Sequence, residues 1–338
     1  MNRLTTQGSC TPHTSTSDAG PGVRRYAGKV DLDEVFVTDW RPVDDLACTA
    51  TVLWPRHHAF YTPSPDRYTL LLFTESVRQV LAVTSALGLG VPAGHRMGWE
   101  RLVTNVTPGL LTTGADPATV ELDVRHEPFT RRGSGLARLT ARIRATRDGR
   151  TLGTAFVRYT AYPPALYDRL RGEHADARAA FARALPPGPP VHPSLVGRTD
   201  PRDVVLAEDT TPLGSHAGGD WTLRTDTGHP VLFDHPHDHV PGMVLLEAAD
   251  QAFRACAAPE RVEPIEFDTT FSRYVEFDRP CRITAGEAET SSGRRQQVVT
   301  GLQDGATVFS TRIGGLVERR PVLIPRQRRR VIAGNRSS

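Results

Sequence analysis

Residues 233–251 read FDHPHDHVPGMVLLEAADQ. Asp234, His235, His237, Asp238 and His239 crowd together, a Pro241-Gly242 turn follows, and then comes an apolar run that carries Glu247. The polar residues of that run are Glu247, Asp250, Gln251 and Arg254. Their offsets of three, four and seven put them on one stripe of a helix over about 243–256, and the other faces are apolar. A short helix that is apolar on most sides is wrapped by a sheet. Its stripe then faces a tunnel or another part of the chain. The competing reading is a solvated stripe in which Asp250 and Arg254 form an i,i+4 pair.

The pattern occurs twice. FYTPSPDRYTLLLFTESVRQ (60–79) shares F-x-x-P, an apolar run with Glu, and Gln four residues later. This pairs Phe60 with Phe233, Pro63 with Pro236, Glu75 with Glu247 and Gln79 with Gln251, and predicts a first helix over 70–87 with Glu75, Arg78 and Gln79 as its stripe. RDGRTLGTAFVRYTAY (147–162) likewise resembles QDGATVFSTRIGG (303–315), each an Asp-Gly turn between two strands. Two elements that recur in the same order mark an internal duplication. Alternation in VELDVR and LTARIRATR predicts antiparallel strands with one buried face.

The fold class is therefore α+β, a double hotdog: two antiparallel sheets, each wrapping a central helix, as a pseudo-dimer within one chain. The expected organisation is a disordered leader over 1–28, an N-terminal hotdog over 29–164 and a C-terminal hotdog over 194–320. A connecting helix and Pro-rich linker span 165–193 between them, and a basic tail covers 321–338. The Ala/Leu/Arg-rich stretch 165–185 favours helix, and PPGPP (186–190) stops it because proline lacks the donor and clashes with the preceding turn.

Among 338 residues, 38% are hydrophobic and 23% charged, which describes a globular chain. A net charge of +3 is too small to announce nucleic-acid binding, and nothing resembles a helix-turn-helix. No apolar run approaches a membrane span, and the first residues form no signal peptide. Cys10, Cys48, Cys256 and Cys281 lack C-x-x-C spacing and read as reduced thiols, so the expectation is cytoplasmic. Whether the chain forms an oligomer stays open.

Three readings of the histidine cluster compete. Imidazoles and carboxylates at short spacing suit a first-row metal, but His235-Pro-His237-Asp238-His239 lacks the spacer of an H-x-H-x-D-H signature and no second ligand cluster accompanies it. The histidines are otherwise structural, or they form a loop that leads into a catalytic helix start. In the last case the N–H groups of Gly242 and Met243 lack intrahelical partners and can hold an oxyanion, a nearby imidazole moves a proton, and Glu247 faces the same pocket. That arrangement fits chemistry on an acyl thioester, with no metal and no cofactor.

HPVLFDHPHDHVPGMVLLEAADQA, FSRYVEFDRPC (271–281), VGRTDPRDVVL (196–206) and HAFYTPSPDRYTLLLFTESVRQ closely resemble the AfsA-type γ-butyrolactone (A-factor) biosynthesis proteins of actinomycetes, over about residues 30–320. The resemblance implies tandem hotdogs and an acyltransferase that moves a β-ketoacyl group from acyl carrier protein to dihydroxyacetone phosphate. For such a transfer the residues themselves suggest a thioester carbonyl at Gly242 and Met243, with Glu247 (counterpart Glu75), His235 or His239 as the base. Arg78, Arg273 or Arg254 would then hold the phosphate. The helix start also resembles hydroxyacyl-carrier-protein dehydratases at Pro241, Gly242 and Glu247, but their catalytic histidine falls on Phe233 unless His235 takes its place. Asp250 stands where the family commonly carries arginine. A hotdog thioesterase and a non-catalytic acyl- or lactone-binding regulator are the alternatives.

Overall fold

The computed structural model describes residues 19–129, 135–208 and 219–318. The basic tail 321–338 and leader residues 1–18 lie outside the described residues, while the last leader residues include a short helix α1 (Ala19–Arg24). The first half continues as β1 (Val37–Asp44), β2 (Ala47–Trp54), α2 (Leu70–Leu87), β3 (Arg96–Val106), β4 (Ala118–His126), β5 (Ala137–Arg147) and β6 (Arg150–Tyr162). The second half has β7 (Leu206–Glu208), β8 (Gly219–Leu223), α5 (Gly242–Ala257), β9 (Arg261–Phe271), β10 (Arg282–Ala285), β11 (Glu289–Ser291), β12 (Arg294–Gln303) and β13 (Ala306–Glu318). Between the halves run α3 (Pro164–Arg171) and α4 (Ala177–Ala182).

The expected two sheets are one. Strand order is β1-β2-β4-β5-β6-β3-β9-β13-β12-β10-β8-β7, and the halves join where β3 pairs antiparallel with β9, Arg101 opposite Thr270 through Asn105 opposite Glu266. Joining the halves removes one exposed edge from each, which would otherwise invite pairing with other chains. The sheet packs around α2 and α5, which also touch each other. Helix α2 is apolar enough to cross a bilayer by composition, but 78% of it is buried inside the protein, so its apolarity serves the core. Asp148-Gly149 and Asp304-Gly305 adopt the positive φ values that a two-residue hairpin needs.

The connecting helix is two short helices, not one. Gly172 follows α3 with φ of 55°, a left-handed turn that ends the helix, and Asp176 starts α4 by accepting the N–H groups of Arg178 and Ala179. Composition alone favours an unbroken helix here. The break lets α3 fold back onto the second half.

The polar stripes of both helices face inward. Gln79 donates to the Glu34 carbonyl and accepts from Phe36 N–H, while Gln251 donates to the Asp203 carbonyl and accepts from Val205 N–H. His58 accepts from Phe60 and Tyr61 N–H just as His229 accepts from Val231 and Leu232 N–H. These matching bonds set the true repeat register. Phe60 corresponds to Val231, and Phe233 to Thr62, so the pairing of Phe60 with Phe233 is off by two. The helix pairs Glu75–Glu247 and Gln79–Gln251 stand.

His126, at the end of β4, is buried, and its Nε2 lies 2.9 Å from the Tyr159 hydroxyl. Burial pushes its pKa down from 6.5 to about 4. The unfolded chain therefore takes up this proton first, and the stabilising difference, complete above pH 6.5, is lost progressively as pH falls toward 4. Urea unfolding at pH 7 and pH 5 should show a drop of about 2 kcal/mol that His126→Gln removes.

Candidate active site

A cavity of about 830 Å³ opens between the halves at the N-terminus of α5. Gly242 and Met243 line it. Pro241 precedes them with no side-chain cap, and the N–H groups of Gly242 and Met243 have no partner among the described residues. In α2 the equivalent end is closed, because Thr69 accepts the Leu72 N–H. Duplication has left one helix start capped and the other open to the cavity. Gly242 is glycine because Trp99 of β3 lies on it: a Cβ there would meet the indole at 3.0 Å.

His239 and His237 line the cavity. His239 Nδ1 sits 3.1 Å from Asp238 Oδ1, its ring packs 4.5 Å from Tyr274, and Nε2 has no partner among the described residues. Asp238 is held from the other side by α3: Tyr167 donates its hydroxyl at 2.6 Å, and Arg171 donates to Oδ2 at 3.0 Å and to the Asp238 carbonyl at 2.9 Å. Arg171 is in turn clamped by Glu276 at 2.6 and 2.9 Å and lies 4.4 Å over the Tyr274 ring. Burial works against the Asp238 carboxylate, but bonds from His239 and Tyr167 and the Arg171 charge outweigh it and hold the pKa far below the usual range. The fixed carboxylate orients an imidazole whose free nitrogen faces the cavity, the geometry of a general base. Burial, then the neighbouring His235 and His239, lowers the His237 pKa to about 3, so His237 is a neutral lining group.

The remaining expected residues separate into two groups. Arg78 and Arg273 line the cavity. Arg78 is fixed by two bonds to Glu75 and one to the Ala27 carbonyl, which leaves Nη1 unpartnered among the described residues. Glu75, Glu247, Arg254 and His235 do not line the cavity. The expectation that Glu247 faces the pocket is corrected: it is fully buried and ion-paired with Arg198 through bonds of 2.9 and 2.5 Å, with Gln251 donating at 2.5 Å. Topology causes this, because the segment entering β7 lays Arg198 across α5. Glu75 is likewise committed to Arg78 and Gln79.

Asp250 is explained by the same pseudo-symmetry. It is 4% exposed and binds Arg254 at 2.5 Å, so the i,i+4 pair exists but is buried rather than solvated. The Arg254 side chain lies against Gly197 as the Arg78 guanidinium lies against Gly28, so the cation missing at 250 comes from one turn later. There it donates to the Val262 carbonyl, next to Glu263, which pairs with Arg67.

Asp234, His235 and His237 approach closely enough to hold a metal ion. The Asp234 carboxylate, however, already takes His235 Nδ1 at 2.7 Å and Val30 N–H at 2.8 Å, and the charges of Lys29 and Arg78 reach it. It anchors the incoming first-half segment, aided by Lys29, which donates to the Val231 carbonyl. Phe233, at the dehydratase histidine position, is buried against Phe181 and Phe277.

Two helix-wrapping repeats fused by one sheet, with a cavity at the start of α5, define a double-hotdog protein. The chain belongs to the AfsA family: the A-factor biosynthesis hotdog domain matches residues 15–163 and 180–316. It is 39% identical over 292 residues to the 2-oxo-3-(phosphooxy)propyl 3-oxoalkanoate synthase of Streptomyces virginiae, covering 86% of this chain and 96% of that one. To the synthase of the same name from Streptomyces coelicolor it is 35% identical, covering 84% and 88%. Among solved structures it is similar to the 12:0-ACP thioesterase from Umbellularia californica, with 11% identity, 80% and 94% coverage and a TM-score of 0.47.

Proposed function

We propose that the cavity transfers a β-ketoacyl group from an acyl carrier protein thioester to a hydroxyl of dihydroxyacetone phosphate. One observation carries this reading. An uncapped helix start, a free imidazole nitrogen and a free guanidinium edge converge on one cavity, in a chain related to synthases named for a 3-oxoalkanoate ester of a phosphooxypropyl group. His239 Nε2 takes the acceptor hydroxyl proton, and the oxygen attacks the thioester carbonyl carbon. The resulting oxyanion accepts the N–H groups of Gly242 and Met243. The C–S bond then breaks, and the carrier thiolate recovers the proton from His239. Arg78, assisted by Arg273, holds the phosphate, since a guanidinium fork matches phosphate oxygens. The ester afterwards loses water to close a butenolide.

Purified protein given β-ketoacyl carrier protein and dihydroxyacetone phosphate should form the phosphorylated ester, seen by mass spectrometry. Release of free acid with no acceptor adduct would instead make the protein a thioesterase. Arg78→Met should raise KM for dihydroxyacetone phosphate on the order of 10- to 100-fold, the loss of one charge-assisted contact. KM for unphosphorylated dihydroxyacetone should stay unchanged, and an equal rise for both acceptors would remove Arg78 from the phosphate site.

A further inference from the structure

The outer part of the cavity carries more charge than an acceptor phosphate requires. Arg101 of β3, Arg138 of β5 and Arg158 of β6 line its mouth in addition to Arg78 and Arg273, and Glu100 is the one carboxylate lining it among the described residues. All three side chains are exposed. Arg101 stands directly opposite Arg158 in the β3–β6 register, a like-charge arrangement that by itself destabilises a sheet. Arg158 has no ion-pair partner among the described residues, and with Arg142 it flanks the ring of Phe156 at 5.9 and 5.1 Å. Arg101 pairs with Asp268 at 3.1 Å and Arg138 with Glu100 at 2.9 Å, both in exposed pairs that solvent screens, whereas Arg158 and Arg273 have no ion-pair partner among the described residues, so the lining keeps a net positive charge.

We infer that Arg101, Arg138 and Arg158 form the docking surface for the acidic face of the acyl carrier protein, which delivers its thioester arm into the cavity they surround. The inference rests on reading the cavity as the acyl-transfer site. A patch placed around a mouth serves a partner that inserts something, and complementary charge steers such encounters and fixes their orientation.

The test compares two donors. Reversing all three charges (R101E, R138E and R158E together) should raise KM for a β-ketoacyl carrier protein of type II fatty-acid synthesis at least about tenfold. Activity with the same acyl group on N-acetylcysteamine should change less than twofold, which also shows that the variant is folded. Direct binding of holo carrier protein, followed by titration, should weaken in parallel. Equal losses with both donors would place these arginines in the chemistry and overturn the docking role, as would unaltered carrier-protein KM and binding. If the wild type turns over neither donor, the acyl-transfer reading fails, and the binding titration alone decides the docking surface. Binding of a duplex RNA or of anionic vesicles in place of carrier protein would also overturn it.

Discussion

His239→Ala should lower kcat for acyl transfer by a factor on the order of 10²–10⁴, the usual worth of a positioned general base. The fold should survive, because the ring is partly exposed and its single strong contact is to Asp238. Asp238→Asn is the informative companion. The amide keeps the size but loses the charge that holds His239 Nδ1–H, so kcat should fall while KM for either substrate changes little. Tyr167→Phe removes one of the bonds that fix Asp238 and should give a smaller loss in the same direction. His237→Ala is the control, since an imidazole whose pKa is lowered to about 3 is a poor proton acceptor. Should His239→Ala keep kcat within about threefold of wild type, the proton transfer must be sought elsewhere.

Arg198→Met should destabilise the protein by about 3–5 kcal/mol, the cost of leaving a buried carboxylate without its cation. Both members of the Arg198–Glu247 pair are almost completely buried, with side-chain exposures of 5% and 1%. Burial drives the Glu247 pKa up, the Arg198 charge opposes this, and the neighbouring Asp250 adds to the rise. Arg198 also donates to the Phe60 carbonyl, so its loss loosens the seam between the halves. Urea unfolding of the single variants and of the Arg198→Met/Glu247→Gln double variant closes a cycle, and the double variant should be less destabilised than the two singles summed. In Glu247→Gln, activity lost should track folded protein lost, with kcat per folded molecule nearly unchanged. A folded Glu247→Gln protein that loses about 10²-fold in kcat would restore Glu247 to a chemical role.

Much of this architecture was legible in residue order. Apolar periodicity placed α2 and α5 almost to the residue, and Asp-Gly placed two hairpins, because both signals are local. Strands β1 and β2 are not legible in this way: β1 contains proline and grades from buried Val37 to exposed Arg41–Asp44, so it shows no clean alternation. The site was read only in part. Gly242, Met243, His239, Arg78 and Arg273 meet at the cavity, whereas the carboxylate chosen for its helical position does not. Tyr167 and Arg171 were missed, although their four-residue spacing on α3 puts both on one face.

The sequence by itself determined the duplication, the two buried helices, the inward stripes and an open helix start after Pro241-Gly242. Only the tertiary structure decided which charges are spent and which are free. Glu247 meets Arg198 from 49 residues away, and Asp238 meets Arg171 from 67 residues away. Such pairings depend on where the chain returns after a crossover, and in a low-dielectric interior they override what helical position alone suggests. Asp250 shows the same rule: unexplained within its helix, it becomes legible once Arg254 is seen against Gly197.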